Sequence, residues 1–291
     1  MELVYLPELF LERAILNKSV NKIVHDLSND RTKQYVEQST FKIAIGLHDM
    51  QKLSTTNAIF DETYFGIDIG MIHTNWQSNT TPSYINLNHT SCTKDDFANI
   101  DQAIFNRIHM SNYICIDSDY YLLSDLQGDI SSVLSIYINV CQNDTNSNVT
   151  CKSTEEIKNV LNHNFLNIAY TSAFFDFDDY DTPVKTYLND FDQMSLNLTF
   201  YQFYNLRLHH NQAVLYDDLI ITSSSETHKY FSVSKANYRI FNQEYNPERL
   251  AQVLVRLARE SEHYERVVYS FFDMFGYLGG LFDFLYFIGY I

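Results

Sequence analysis

The chain has 291 residues and a formal net charge of −16. This charge argues against a nucleic-acid-binding protein, because affinity for nucleic acid comes mainly from lysine and arginine side chains that neutralise phosphate, and it also disfavours docking onto anionic lipid. Hydrophobic residues make up 45% of the chain and aromatic residues 15%, which excludes intrinsic disorder and allows one or two domains with a buried core.

Short strands and a few helices are predicted through the first two thirds of the chain. Helical spacing of apolar residues predicts a helix over 8–27. Thr93 predicts a second helix that ends near Arg107, because threonine caps helix starts and acidic residues follow it. Ser153 and Glu156 form a capping box that predicts a third, short helix. Alternation of apolar and polar residues predicts strands over 41–47, 59–72, 83–87, 112–116, 131–141 and 166–175.

Paired strands are predicted to continue up to residue 245. An acidic turn over 176–183 comes first. Two antiparallel pairs of strands follow, and exposed histidines, His209 and His210, are expected at the hairpin end of the first pair. The paired stretches are 194–209 with 212–221 and 229–233 with 237–241. Residues 1–245 are therefore predicted to be one α+β ectodomain dominated by antiparallel strands.

Four cysteines lie in the middle of the chain and predict two disulfides in an oxidising compartment. Four cysteines permit three pairings, of which the sequential one joins Cys92 to Cys115 and Cys141 to Cys151. The loop between the last two is polar and carries two glycosylation sequons. A zinc site is the alternative, but the sequence has no CxxC pair and no histidine at ligand spacing near Cys141.

Several asparagines match the pattern for N-linked glycosylation, as expected of an extracellular or luminal chain. A chain this rich in Asn, Ser and Thr would contain about four such matches by chance, so their number is only weak support for secretion. The predicted glycosylation sites are Asn79, Asn88, Asn143, Asn148 and Asn197, and Asn17 matches the pattern too.

The first residues do not predict a signal peptide, because they lack a basic region and a long apolar run. We therefore expect an upstream segment to direct the ectodomain to the lumen. In that case Met1 is an internal methionine of a longer protein.

A long amphipathic helix is predicted over 246–268. Asn246 is a good N-cap, Pro247 suits the first helical position, and Glu248 faces the positive end of the helix dipole. Apolar residues then recur at helical spacing on one side of this helix. The polar residues that recur on the other side are Arg249, Gln252, Arg256, Arg259, His263 and Arg266.

The segment 269–291 is predicted to begin a transmembrane helix that is cut off before the full length of about 20 apolar residues. Gly276, Gly279 and Gly280 have the small-residue spacing that lets two membrane helices pack closely. Asp283 would be an intramembrane carboxylate facing a partner, a pore or water, or else a residue at the membrane interface. The alternative is a buried C-terminal helix of a soluble protein, because aspartates are costly in lipid.

The sequence predicts neither a metal site nor a cofactor. Four aspartates in the acidic turn could hold calcium, but the turn lacks the glycine and glutamate that an EF-hand loop requires, so a solvated turn is predicted. The motifs of serine hydrolases, zinc proteases, phosphate-binding loops and dinucleotide-binding turns do not occur.

Several features follow one another in a characteristic order along about three quarters of the chain. It comprises the strand 41–47, Cys92 before an acidic helix, Cys115, Gly128 before a strand ending at Cys141, Cys151 before a capping box, Thr182-Pro183, and 264–273 with the glycine pair 279–280. This series resembles a large group of two-pass membrane proteins in ciliates. The resemblance implies an ectodomain held between an N-terminal and a C-terminal span. The glycine pair is also similar to the second span of degenerin and epithelial sodium channels.

These inferences predict a membrane-anchored ectodomain with a receptor, adhesion or structural binding role. Its partners would be the membrane and, through the glycines, a second copy of the chain, and its ligand is not identified. One alternative is a subunit of an oligomeric ion channel in which Asp283 faces the pore. Another is a soluble luminal enzyme whose site the sequence does not show.

Overall fold

The fold consists of two β-sheets with short helical segments. The computed structural model describes residues 18–26, 34–36, 40–49, 61–75, 81–124, 130–143, 149–218, 225–242, 248–270, 272, 273, 275, 276, 279, 280 and 286. Within these residues fifteen strands form one sheet of ten strands and one of five. Most neighbouring strands are antiparallel, so the predicted strand-rich, antiparallel architecture with a few short helices is confirmed.

The strands of the ten-stranded sheet are β1 (Ser19–Asp26), β2 (Gln34–Val36), β4 (Phe65–Asn75), β5 (Ser83–Asn86), β8 (Tyr120–Ser124), β9 (Ile130–Val140), β12 (Phe200–Tyr216), β13 (Glu226–Asn242), β14 (Arg249–Leu257) and β15 (Glu260–Val267). The five-stranded sheet contains β3 (Ile43–Asp49), β6 (His89–Ser91), β7 (Ile114–Ile116), β10 (Asn164–Phe175) and β11 (Val184–Ser195). The helices are α1 (Gln102–Arg107) and α2 (Thr154–His163).

Apolar residues that alternate along the strands bring the two sheets together. Ile45 of β3 and Ile168 of β10 belong to the same buried cluster as Ile136 of β9, Leu206 of β12 and Val253 of β14. Each is almost completely buried, which stabilises the fold by about 1.5–3 kcal/mol per side chain. The opposite face of the large sheet is left to polar, aromatic and basic residues.

Strand β12 organises the large sheet. It pairs with β13 in antiparallel orientation on one edge. On its other edge it pairs in parallel orientation with β14 along its first half and with β15 along its second half. Strand β14 also pairs with β9, so β9, β14 and β12 form the centre of the sheet.

Local sequence patterns are confirmed where the structure has short, regular elements. Strands β3, β9 and β10 lie where alternation predicts them. In α2 the Ser153 hydroxyl accepts a hydrogen bond from the Glu156 backbone N–H, and the Glu156 carboxylate accepts one from the Ser153 N–H. The capping box is therefore present.

Both predicted disulfides are confirmed with the sequential pairing. Cys92 is bonded to Cys115, and Cys141 is bonded to Cys151. The first bond lies in a buried cluster with Phe97 and the short turn that precedes α1. The second closes the end of β9 onto the segment before α2.

The prediction of a long helix over 246–268 is wrong, because the described residues of this segment form the two strands β14 and β15. Leu250, Val253 and Leu257 fit a helical stripe, yet Val253, Val255 and Leu257 equally fit the period of a strand. Pairing of β14 with both β9 and β12 completes the backbone hydrogen bonds of a central strand and buries Val253 and Val255 completely.

The two hairpins predicted within 194–241 are also wrong, because β12 and β13 are each a single long strand. No turn is needed at Asn211, since its buried amide donates to the Ser232 hydroxyl at 2.7 Å and accepts from the Glu262 N–H at 3.0 Å. The break predicted in β13 is a register shift opposite Arg207 and Leu208 rather than a turn.

Two predicted helices differ from the structure. Of the helix predicted over 8–27, the described residues from Ser19 to Asp26 form β1, an edge strand that pairs with β15. The helix predicted from Thr93 to Arg107 is divided into a 3₁₀ turn over Asp95–Phe97 and α1, because Asp101 caps a new start by accepting a hydrogen bond from the Ala103 N–H at 2.6 Å.

In the segment 269–291, Tyr269 and Ser270 are not helical, and the described positions from 272 onward, which include Gly276, Gly279 and Gly280, are helical. These three glycines are exposed, and a Cβ added to any of them would meet nothing within 4 Å. Asp283 lies outside the described residues. No described helix combines the length and the apolar character that a membrane crossing requires.

Candidate anion-binding site on the large sheet

The face of the large sheet opposite the shared core is arranged in cross-strand rows. Strand register aligns one row across β4, β9, β14, β12 and β13, and its members are Asp68, Tyr137, Gln252, Phe203 and Arg239. Side chains of residues two or four positions further along a strand point to the same face. The rows therefore show which residues of this face lie together.

Four arginines lie near one another on this face and form what we call the arginine cluster: Arg207, Arg239, Arg256 and Arg259. Arg207 of β12 is the direct register partner of Arg256 of β14. Arg239 lies on the same face of β13, opposite Phe203 of β12, and Arg259 lies two residues after the end of β14. Paired residues on neighbouring strands have backbones about 4.8 Å apart, so the register places like charges side by side.

The arginine cluster has no counter-charge among the residues that the structure describes. No described carboxylate lies within ion-pair distance of any of its four guanidinium groups. Burial, and then the like charges of Arg207, Arg239 and Arg259, lower the pKa of Arg256 from its ordinary value. The buried Nε of Arg207 also has no hydrogen-bond partner.

Several basic residues elsewhere on the fold are paired with carboxylates. Lys42 contacts Asp96 at 3.0 Å, and Lys22 contacts Glu262 at 2.6 Å. Arg266 is fully buried and donates to both carboxylate oxygens of Asp217. The contrast shows that the cluster is not an ordinary structural ion-pair network.

The chemistry of the arginine cluster suits an anion. A guanidinium group presents several N–H donors in a planar fork that matches carboxylate, sulfate and phosphate oxygens. An anion held between Arg207 and Arg256 would offset the repulsion between them and supply the missing partner of the Arg207 Nε. We therefore identify the arginine cluster as the candidate functional site.

Part of this face was predicted from the sequence, but as one side of a helix instead of one side of a strand. Arg249, Gln252 and Arg256 were expected on one side of a helix, and they do share one side, that of strand β14. Arg266, expected beside them, is instead buried against Asp217. No sequence signal pointed to Arg207 or Arg239, because their position in the cluster depends on pairing between distant strands.

The other predicted site residues contribute nothing to the arginine cluster. Asn88 and Asn143 are exposed, as glycosylation requires. Asn197 is half-buried, and its side-chain oxygen accepts a hydrogen bond from the Thr199 N–H at 2.7 Å. Asn79 and Asn148 lie outside the described residues.

The residues of the histidine pair and the acidic turn are part of the packed fold. His209 and His210 are half-buried within β12, not exposed at a hairpin end as predicted. In the acidic turn the Asp179 carboxylate forms an ion pair with Lys185, and the backbone oxygen of Asp179 accepts a hydrogen bond from the Arg266 guanidinium group at 2.8 Å. Within the described part of the chain, no group of three His, Cys, Asp or Glu side chains is placed to hold a metal ion.

Comparisons with known proteins give one family and two distant structures. Residues 28–258 match the family model described as the N-terminal domain of an uncharacterised 80 kDa protein. No curated protein sequence matches the chain. A cryo-EM structure of a proton-activated chloride channel is 10% identical over 97% of this chain and 87% of that chain, with a TM-score of 0.30. The crystal structure of Erv41p is 8% identical over 85% of this chain and 99% of that chain, with a TM-score of 0.33.

Proposed function

The chain belongs to the family of the uncharacterised 80 kDa protein N-terminal domain, and we propose that it is the extracellular or luminal domain of a membrane-anchored receptor or adhesion protein that binds an anionic ligand. The observation that carries this proposal is the arginine cluster, in which Arg207 and Arg256 lie side by side without a described carboxylate partner. Like charges held together at a cost in stability are explained by a ligand that neutralises them.

The disulfides support the extracellular or luminal location. Both cysteine pairs are closed, and the chain has no free cysteine. Disulfides of this structural kind persist in secreted, luminal and cell-surface proteins and are rare in the reducing cytosol.

The position of the two flanking segments supports membrane attachment. Ser19 at the start of β1 pairs with Val267 at the end of β15. The chain therefore enters and leaves the body of the fold at one place. Two membrane spans, one before Ser19 and one after Val267, could hold the domain from that single point, in keeping with the resemblance to two-pass proteins of ciliates.

Ligand binding is tested with inorganic sulfate and the full-length protein. At constant ionic strength, replacing chloride with sulfate raises the melting temperature, because a ligand that binds only the folded state stabilises it. Arg256→Gln removes most of this shift, whereas Arg107→Gln, which removes an exposed arginine of α1, leaves it unchanged. A sulfate shift that is absent, or that Arg256→Gln does not reduce, contradicts the proposal.

Membrane attachment is tested separately by fractionation. We expect the full-length protein to stay in the membrane pellet after extraction with alkaline carbonate, and complete release would contradict a membrane span. The channel alternative depends on Asp283, which lies outside the described residues, and it stays a prediction together with the enzyme alternative.

A further inference from the structure

A groove opens on the same sheet face as the arginine cluster, towards the edge strand β5. Its volume is about 420 Å³, within the range of about 300–1,000 Å³ typical of small-molecule sites. We call it the tyrosine groove, and its lining residues are Asp68, Ile72, Pro82, Ser83, Tyr84, Asn86, Tyr137 and Arg249.

The aromatic wall of the tyrosine groove is held in place by close packing. The ring centroids of Tyr84 and Tyr137 are 6.2 Å apart. The Tyr84 ring lies across Gly70, where an added Cβ would come within 2.5 Å of the ring carbon Cζ. Tyr84 nevertheless stays 41% exposed, so it offers a ligand an apolar ring face with a hydroxyl at its edge.

The polar groups of the tyrosine groove favour a ligand that is neutral at this point. One Asp68 carboxylate oxygen accepts a hydrogen bond from the Asn139 amide at 2.6 Å, and the other can accept from a ligand hydroxyl. The same carboxylate would repel an anionic group. Arg249 does not reverse this preference, because its guanidinium group lies 3.9 Å from the centroid of the Tyr137 ring and is already engaged.

The floor between the tyrosine groove and the arginine cluster is polar and fixed. The Tyr201 hydroxyl donates to the Gln252 side-chain oxygen at 2.5 Å, and the Gln252 amide donates to the Ser135 hydroxyl at 2.8 Å. Next to them, the buried side-chain oxygen of Asn205 has no hydrogen-bond partner, and Asn205 lies two residues before Arg207 on the same face.

The two features are far enough apart to need an extended ligand. Tyr137 and Arg207 are separated by two strand spacings and four residues along β12. With about 4.8 Å between strands and about 3.3 Å per residue, this is about 16 Å. A single small anion fills only the arginine cluster.

Resting on the proposed function, we propose that the ligand is an acidic oligosaccharide, with a sulfate or uronate group on the arginine cluster and a neutral sugar in the tyrosine groove. A sugar ring has an apolar face for Tyr84 and hydroxyl donors for Asp68. A glycan in which charged and neutral sugars alternate meets both ends of the face. A uniformly acidic peptide satisfies the arginines but places carboxylates against Asp68.

The test measures the affinity of the full-length protein for four probes: a keratan sulfate oligosaccharide, in which sulfated and neutral sugars alternate, a hyaluronan oligosaccharide, in which uronates and neutral sugars alternate, a neutral cello-oligosaccharide of equal length, and a poly-glutamate peptide of equal charge. One or both acidic oligosaccharides should bind more tightly than the peptide and the neutral chain, and comparing them separates sulfate from carboxylate. Tyr84→Ala and the isosteric Asp68→Asn should each lower the affinity for the better oligosaccharide about tenfold.

Inorganic sulfate tests only the arginine cluster, whereas the oligosaccharides test both ends of the face. The anion site and the glycan ligand can therefore be contradicted separately. Loss of the sulfate shift would remove the anion site itself. If sulfate raises the melting temperature as expected but neither Tyr84→Ala nor Asp68→Asn changes the oligosaccharide affinity, the glycan proposal is overturned and the anion site remains. Equal or tighter binding of poly-glutamate would also overturn the glycan, in favour of an acidic protein partner.

Discussion

Ser19 and Val267 face each other across the β1–β15 ladder, at the point where the chain enters and leaves the body of the fold. Strands β1 and β15 are antiparallel, so residues before Ser19 and residues after Val267 start from neighbouring positions. The chain therefore enters and leaves the body of the fold at one end of this strand pair.

This pairing predicts that a Ser19→Cys, Val267→Cys double variant forms a new disulfide. Paired residues on antiparallel strands have Cα atoms about 4.5–5.5 Å apart, within the range that a disulfide spans. The crosslink is measured by mass spectrometry under non-reducing conditions. The matched control joins Ser19→Cys to Glu265→Cys, two residues out of register, and equal crosslinking in both variants would show that the register is different.

Arg256, which is half-buried, and Arg266, which is buried, should respond in opposite ways to replacement by methionine. Arg256→Met should raise the free energy of unfolding by about 0.5–1 kcal/mol, because it removes a like charge directly opposite Arg207. Arg266→Met should lower it by about 3–5 kcal/mol, because it leaves Asp217 without the fully buried partner that now binds both its oxygens.

Urea denaturation of the two variants and the wild type measures both effects. A stabilised Arg256→Met variant that has also lost its response to sulfate would show that stability is given up for binding at the arginine cluster. Destabilisation by Arg256→Met would mean that the cluster has a structural partner.

The two disulfides should contribute unequally to stability. Replacing Cys92 and Cys115 with alanine opens a loop of 23 residues, for which chain entropy predicts a loss of about 3 kcal/mol. Both cysteines are buried, so the variant also loses packing. The same change at Cys141 and Cys151, only 10 residues apart and half-buried, should cost less. Urea denaturation of both double variants gives the comparison, and a reversed order would contradict it.

His209 should make the fold less stable as the pH is lowered. Burial lowers the pKa of His209 more than Glu262 and Glu260 raise it, and Lys22 lowers it further. The unfolded chain then binds a proton near pH 6.5 while the folded chain does not. Between the two pKa values the unfolded state holds more protons, so stability falls as the pH drops through about 6.5 and levels off below the folded-state pKa.

Thermal melting at a series of pH values tests this effect. The His209→Gln variant should lose part of the decline that the wild type shows below about pH 6.5. His89→Gln, which changes an exposed histidine of β6, serves as the control. An identical decline in His209→Gln and the wild type would contradict the assignment.

Residues 249–267 show where reading the sequence was insufficient. Leu250, Val253 and Leu257 fit a helix, while Val253, Val255 and Leu257 fit a strand, so the apolar pattern alone does not choose between them. The choice depends on whether partners exist for the backbone. Strands β9 and β12 supply them on both edges of β14, which no local pattern reveals.

The arginine cluster was hidden for the same reason. Arg207 and Arg239 are ordinary polar positions of two long strands, and Arg256 was seen only as part of a polar stripe. Their convergence follows from the parallel pairing of β12 with β14 and the antiparallel pairing of β12 with β13.

The sequence by itself determined the properties that act over a few residues: the alternation that makes β9 and β10 strands, the serine cap of α2, and a cysteine spacing compatible with two local disulfides. Only the tertiary structure decided which residues form the binding face, because strand pairing joins residues that are far apart in the chain. A period of two places a side chain on one side of a strand, but it does not specify the neighbouring strand.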